Sequence, residues 1–291
     1  MKLISFLRRH PEVPCLLLAA AIFCFWQNNA LCVTRLSFES GRLPAAFDGT
    51  VSETDFSSTS PEFGTDGYYA KCWIREESGI KLYKSGSAFL EIEPLSEFLA
   101  SQLAEGICRQ AVLYDLDYYH GKLISKCPLF TSEPVGLAKA SAVFHGAEHT
   151  NPDLLQYFRG IGSEDAFRRM CILDAIILNP DRHYGNFGVL FDTATMEVLQ
   201  MAPVFDNNKS LLPELDNDQL AAPDWYIARC RPRIGRDFIL TARGLLTDGI
   251  RADLERMRDF TFRQHPKIQA EQMRLDALSG IVRERIRQIL A

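Results

Sequence analysis

The sequence predicts an α+β fold with two lobes, a small β-containing lobe at about 51–130 and a helical lobe at about 131–291. The first observation is that stretches with the alternation and flanking turn residues typical of strands cluster early, at 67–75 and 80–84. The second is that helical periodicity dominates later, beginning at 161–178. Runs of strands followed by runs of helices favour an α+β arrangement over a layered parallel sheet.

The first lobe is predicted to begin with a hairpin and to continue into a helix. The strand 67–75, the turn 76–79 and the strand 80–84 form the hairpin. Pro94 is a suitable helix start, because proline is favoured in the first helical turn. Apolar residues then recur at helical spacing, namely Leu95, Phe98, Leu99, Leu103 and Ile107.

The second lobe is predicted to contain several helices and one hairpin. The helix 161–178 places five apolar residues at core spacing: Phe167, Cys171, Ile172, Ala175 and Ile176. Residues 187–191 alternate as a strand, 192–195 form a turn, and 196–201 run back antiparallel. Further helices are predicted at 238–246, 250–258 and 273–290.

The residues that most clearly indicate the chemistry flank this hairpin. Asp181 and Asn186 have the Asp-x-x-x-x-Asn spacing of a kinase catalytic loop, in which the Asp accepts the substrate hydroxyl proton and the Asn binds a metal. Because the hairpin returns the chain to its starting end, Asp206 should lie beside Asn186. Oxygen ligands of this kind suit Mg²⁺. Each segment alone is also compatible with an ordinary turn. Their joint spacing favours a protein-kinase-like two-lobed fold.

A kinase of this kind needs a strand Lys paired with a helix Glu to hold ATP. Lys84 ends the second strand, directly before Ser85 and Gly86, and Glu97 lies one turn into the following helix. We therefore predict a Lys84–Glu97 pair, with Lys84 on the ATP phosphates and Ser85 and Gly86 beside the nucleotide. Solvated side chains are the alternative, since a first helical turn favours acids in any case. Three other residues remain alternative partners: Lys71, Lys81 and Glu93.

The loop that would cover the phosphates has no standard fingerprint. The sequence contains neither a G-x-G-x-x-G nor a Walker A string, so a P-loop fold is not supported. The segment 57–67 offers hydroxyls, backbone amides and two glycines that could cradle phosphate. The same composition is typical of a linker.

The catalytic segments resemble those of HipA-type serine/threonine kinases, in particular a compact bacterial branch. The resemblance rests on Asn179-x-Asp181-x-His183-x-x-Asn186 and on Ala202-Pro-Val-Phe-Asp206, and extends over about 57–291. It implies transfer of the ATP γ-phosphate, with Mg²⁺, to a Ser or Thr hydroxyl of a protein. It also implies a small DNA-binding antitoxin-like partner.

Two features of the motif leave alternatives open. Asn207-Asn208 stand where ordinary protein kinases have Phe-Gly, which favours a pseudokinase or binding module acting with a partner protein. The Asp-Arg-His-x-x-Asn string also occurs in phosphoinositide-type lipid kinases, so a lipid or small-molecule acceptor is a further alternative. Retention of the complete set of predicted site residues favours an enzyme.

Composition limits the other function classes. A net charge of −5 and a pI near 5.7 argue against direct nucleic-acid binding. Eight cysteines without a C-x-x-C pair are typical of reduced thiols rather than of a disulfide framework or a zinc site. The basic run at 229–233 is interpreted either as a surface loop or as a binding site for a phosphate or an activation segment.

Residues 1–50 differ from the rest of the chain. Basic residues precede an uncharged, mostly apolar run at 13–26, which is shorter than the ~20 residues of a comfortable membrane span. Through 25–30 and 42–49 the segment resembles the membrane-anchored start of calcineurin-like metallophosphoesterases, although no metal-binding Asp-x-His follows Gly49. We expect a cytoplasmic catalytic domain, where ATP is available. The leader would either contact a membrane through 13–26 or precede a soluble protein.

Overall fold

The computed structural model of the protein describes residues 71–87, 92–144 and 150–291. The predicted leader over 1–50 and the predicted phosphate loop over 57–67 lie outside the described residues. Within the three described ranges, no helix is both long enough and apolar enough to cross a membrane.

The first lobe is a four-stranded antiparallel sheet with one helix. Its strands are β1 (Lys71–Glu76), β2 (Gly79–Ser85), β3 (Asp115–Tyr119) and β4 (Lys122–Pro128), in the order β1-β2-β4-β3, and helix α1 (Glu93–Ile107) connects β2 to β3. The β1–β2 hairpin and α1 agree with the sequence prediction. The β3–β4 hairpin was not predicted. Its two-residue turn is His120-Gly121, and both residues have positive φ, as a type I′ turn requires.

The second lobe combines a small sheet with most of the helices. Strands β5 (Val135–Lys139), β6 (Gly188–Asp192) and β7 (Val198–Met201) form an antiparallel sheet in that order. The helices of the described residues in this lobe are α2 (Ala140–Val143), α3 (Asn151–Gly160), α4 (Glu164–Ile177), α5 (Asn217–Ala221), α6 (Asp224–Ile227), α7 (Phe238–Leu245), α8 (Asp248–Arg256) and α9 (Gln272–Leu290).

Helix α4 lies at the centre of this lobe, and its residues from Arg169 to Ile177 are all buried. The five residues predicted to face the core are all buried. Phe167 stacks on Phe158 of α3 with ring centroids 4.9 Å apart, and Phe187 packs against both rings. The helix ends at Ile177, and the next residue, Leu178, adopts a left-handed backbone conformation (φ 53°) and turns the chain sharply into the predicted catalytic loop. The core therefore fixes where that loop begins.

The predicted α+β, two-lobed fold is confirmed, and both sheets are antiparallel. The β6–β7 hairpin is present, with a turn in which the Asp192 carboxylate accepts from the backbone N–H of Ala194 (2.9 Å) and Thr195 (2.8 Å). The four-stranded sheet ends at Pro128 and the three-stranded sheet begins at Val135. The domain boundary near residue 130 stays a prediction.

Candidate active site

Lys84 lies between two carboxylates that come from distant parts of the chain. Its Nζ contacts the Glu97 carboxylate and lies 2.8 Å from Asp206 Oδ1. Glu97, in the second turn of α1, is only 1% exposed, and its other oxygen accepts from the hydroxyl of Ser125 on β4. A buried carboxylate is stable only when it is paired in this way. The cluster joins β2, α1, β4 and the segment after β7.

The charges of this cluster depend on one another. Burial opposes the charged form of Lys84, but Asp206 and Glu97 outweigh it and raise the pKa of the ammonium well above its usual value. Burial also raises the pKa of Glu97, against the opposing effect of Lys84. For Asp206, burial is outweighed by Lys84, so its pKa is lowered and the group is ionised at neutral pH.

The loop that follows α4 holds Asp181 and Asn186 by short local hydrogen bonds. The Asp181 backbone N–H donates to Asn179 Oδ1 (3.0 Å), and its carbonyl oxygen accepts from Asn186 Nδ2 (2.8 Å). His183 also braces the loop, because its Nδ1 accepts from the Gly185 N–H (2.9 Å). The Asp181 side chain remains 33% exposed, so its carboxylate is open to an incoming hydroxyl.

A buried arginine that the sequence did not single out connects the loop to the rest of the site. Arg182 is 1% exposed, and its Nε donates to Asp174 of α4 (3.0 Å). Its Nη1 donates to the carbonyl oxygens of Asn186 (2.8 Å) and Phe205, and its Nη2 donates to Asn207 Oδ1. One guanidinium therefore ties α4, the Asn186 end of the loop and both neighbours of Asp206.

The Asp174–Arg182 ion pair is buried, and removing its two charges from water costs free energy of desolvation. Burial raises the pKa of the Asp174 carboxyl, although Arg182 acts in the opposite direction. Arginine suits such a position because its planar fork can satisfy several acceptors at once. The sequence signal that could have revealed the pair is weak: an Asp within the apolar stretch of α4, eight residues before an Arg.

Asp206 has an unusual backbone conformation. Its φ is 59°, in the left-handed region that non-glycine residues seldom adopt. Its N–H donates to the Tyr114 hydroxyl (3.1 Å), and the Tyr114 ring lies 5.4 Å from Lys84 Nζ. Because surrounding contacts hold this conformation, the carboxylate is directed at Lys84.

The donor set fits a metal that is shared with a nucleotide. Asn186 and Asp206 offer an amide oxygen and a carboxylate oxygen, and the described residues contain no group of three or more His, Cys, Asp or Glu arranged to hold a metal by themselves. Mg²⁺ commonly takes one or two protein oxygens and completes its shell with water and substrate phosphates. These two residues therefore match Mg²⁺ accompanied by phosphate rather than an all-protein metal cage.

The three residues considered as alternative partners in the Lys84–Glu97 pair lie at other positions around the site. Lys71 is buried on β1, directly opposite Lys84 in the sheet register, and its charge helps to lower the pKa of Asp206. Lys81 lies three residues before Lys84 on the same strand and so on the opposite face. Glu93 accepts from the Ser87 N–H (3.0 Å) and lies 3.4 Å from Lys209 Nζ.

Ser85 and Gly86 follow Lys84 at the end of β2, where Ser85 is buried opposite Ile124. Their contact with a nucleotide stays a prediction, as do the individual roles of the other candidate residues.

No protein-family model matches the sequence, and no curated protein matches it significantly. Among solved structures, the chain is similar to the proinflammatory kinase CtkA of Helicobacter pylori, with a TM-score of 0.55 and 17% identity over 76% of this chain and 91% of that chain. HipA of Shewanella oneidensis MR-1, solved in complex with HipB and operator DNA, gives a TM-score of 0.39 and 10% identity over 78% of this chain and 63% of that chain. The likeness to CtkA shows that the fold is kinase-like.

Proposed function

We propose that the protein is an ATP-dependent kinase that transfers the γ-phosphate to a Ser or Thr hydroxyl of a protein. The observation that carries the proposal is the contact of Lys84 with both Glu97 and Asp206. A strand lysine paired with a helix glutamate and adjacent to a metal-binding aspartate is the arrangement by which protein kinases hold Mg·ATP. The likeness to CtkA gives independent support at the level of the fold.

Each residue has a distinct part in the proposed reaction. Lys84 would contact the ATP phosphates, with its position set by Glu97. Asn186 and Asp206 would hold Mg²⁺, and the ion would supply positive charge against the negative charge that develops during transfer. Asp181 would accept the proton of the attacking hydroxyl. Catalysis of this kind consists chiefly of positioning and charge stabilisation.

The partly exposed Asp181 allows the proposal to be tested without disturbing nucleotide binding. Asp181→Ala should lower transfer by about 10²–10⁴-fold, the usual contribution of a general base. Mg·ATP should still raise the melting temperature of the variant, because a ligand at a hundredfold excess over its Kd stabilises the native state by about 2.7 kcal/mol. Asp259→Ala removes an exposed carboxylate elsewhere and should change neither property.

The measurement is transfer from labelled ATP to mixed protein and lipid acceptors, followed by intact-mass and lipid analysis. Equal labelling by wild type and Asp181→Ala would contradict the assigned base. Labelled lipid in place of labelled protein would reassign the acceptor class. A thermal shift with Mg·ATP but no transfer to any acceptor would indicate a pseudokinase acting through a partner protein.

A further inference from the structure

Four exposed arginines lie within eight residues of one another between α6 and α7. They are Arg229, Arg231, Arg233 and Arg236, which we call the arginine segment. The sequence contains no acidic residue between Asp224 and Asp237. The exposed side chains of Arg229, Arg231 and Arg233 alternate with half-buried Cys230 and Pro232. In a chain with a net charge of −5, the segment is a local concentration of positive charge.

The arginine segment reaches the proposed catalytic base. Arg233 Nη2 lies 3.6 Å from Asp181 Oδ1, which is too long for a hydrogen bond. Arg233 is 60% exposed, so water screens the pair and its attraction is weak. Across the described residues, the other three arginines make no ion pair with an acidic side chain. The guanidinium of Arg229 instead lies 3.6 Å from the ring centroid of Trp225.

This arrangement leaves unneutralised guanidinium groups where an acceptor would approach. The carboxylates of Asp181 and of Glu214, which acts electrostatically on Cys230 within the segment, cannot balance four arginines, and the role proposed for Asp181 requires it to face a hydroxyl. Arg233 can release Asp181 at little cost and turn toward another anion. An acidic chain bound along the segment would therefore bring its hydroxyl group to the base while reducing local charge repulsion.

Resting on the proposed kinase activity, we propose that the arginine segment is the acceptor-docking surface and that the acceptor is a Ser- or Thr-containing polypeptide segment rich in Asp and Glu. Four exposed guanidinium groups spread over eight residues favour a polypeptide that carries several carboxylates over a single small anion. Planar guanidinium groups bind carboxylates in pairs of parallel hydrogen bonds. Exposed Trp225, stacked with Arg229, gives the surface an apolar edge.

Binding can be measured separately from catalysis. Three fluorescein-labelled peptides of equal length would each carry one central Ser. The flanking residues would be Glu in the first peptide, Gln in the second and Lys in the third. Each peptide would be titrated with the full chain, and binding would be followed by fluorescence anisotropy at low salt. The Glu peptide should bind about tenfold more tightly than the Gln peptide, the effect of a few exposed ion pairs. The Lys peptide should bind least, and the preference should decline as salt is added.

Matched variants locate the surface. The Arg231→Ala/Arg233→Ala/Arg236→Ala variant should lose the preference for the Glu peptide, whereas the corresponding triple Lys variant should retain most of it. The control removes three other exposed arginines that make only short-range surface pairs, Arg256→Ala/Arg258→Ala/Arg287→Ala. It changes the net charge by the same amount and should bind the Glu peptide like wild type.

The outcomes separate this inference from the proposed function. Equal binding of the Glu and Gln peptides, or equal loss in the control variant, would overturn the docking surface even if the chain phosphorylates proteins. Segment-dependent binding to phosphatidylserine-containing vesicles without any peptide preference would overturn it in favour of a lipid surface. Segment-dependent Glu-peptide binding with no transfer from ATP to any acceptor would support the surface and contradict the kinase.

Discussion

Replacing Arg182 by methionine should destabilise the protein strongly because it leaves a charge without its partner. Arg182 is 1% exposed, and the carboxylate of Asp174 would keep only the Asn179 amide at 3.2 Å. Removing one member of a buried ion pair costs about 3–5 kcal/mol. For a domain of this size, that loss lowers the melting temperature by about 6–20 °C. Thermal unfolding of wild type and variant in the same buffer measures the difference.

A double variant distinguishes the ion pair from general loss of packing. Asp174→Leu/Arg182→Met replaces both charges by apolar groups, and such replacements are often neutral or stabilising. The double variant should therefore be more stable than Arg182→Met alone. The proposed phosphoryl transfer should nevertheless stay low in the double variant, because the carbonyl groups of Asn186 and Phe205 would no longer share a donor. The loss of stability should also be measured for Asp174→Leu alone. The reasoning would be refuted if the loss in the double variant equalled the sum of the losses in Asp174→Leu and Arg182→Met.

The pH dependence of Arg182→Met follows from the raised pKa of Asp174. Burial already raises this pKa in the wild type, and removal of Arg182 should raise it further. The folded variant then binds a proton more readily than the unfolded chain, so its stability falls as pH rises from the ordinary aspartate value of 3.8 through the folded pKa. The deficit relative to wild type should be largest near neutrality and shrink on acidification. A deficit that does not change with pH would exclude an ionised Asp174 as its cause.

Two further predictions concern the cluster around Lys84 and the three-stranded sheet of the second lobe. Lys84→Met should abolish the thermal shift produced by millimolar Mg·ATP. The control, Lys81→Met, lies on the opposite face of the same strand and should retain the shift. A retained shift in Lys84→Met would contradict the proposed contact of Lys84 with the ATP phosphates. Gly188→Ala should destabilise the protein by about 1–3 kcal/mol, because its Cβ would lie 2.1 Å from the Ala138 carbonyl oxygen. Gly160→Ala meets no atom within 4 Å and should be neutral or stabilising in the same unfolding experiment.

The elements that could be predicted from the sequence are those whose signals are local. The β6–β7 hairpin has an alternating strand, an Asp-x-x-Thr turn and a return strand within fifteen residues, so its geometry follows from adjacent residues. Helix α1 likewise follows from Pro94 and an apolar stripe. The kinase-like motif added the predicted Lys84–Glu97 pair, and these two side chains are in contact in the structure. The contact of Lys84 with Asp206 was not predicted.

The missed elements had signals that were weaker or not local. The His120-Gly121 turn has the positive φ values of an Asn-Gly hairpin turn, but histidine is a less usual residue there. Helix α3 begins with a capping box formed by Thr150 and Asp153, a short pattern that is a weak helix signal by itself. The burial of Arg182 cannot be predicted locally, because its acceptors on α4 and beside Asp206 come together only in the folded chain.

The contact between Lys84 and Asp206 also limits when the Lys84 cluster can form during translation. The two residues are 122 positions apart, and the Tyr114 hydroxyl that accepts from the Asp206 N–H is 92 positions away. At about 5–20 residues per second, a ribosome needs roughly 6–24 s to extend the chain from the first residue to the second. The β1–β2 hairpin can pair during that interval, since its contacts are close in sequence. The carboxylate that completes the Lys84 cluster is added only after residue 205, so a nascent chain can complete this cluster only late in its synthesis.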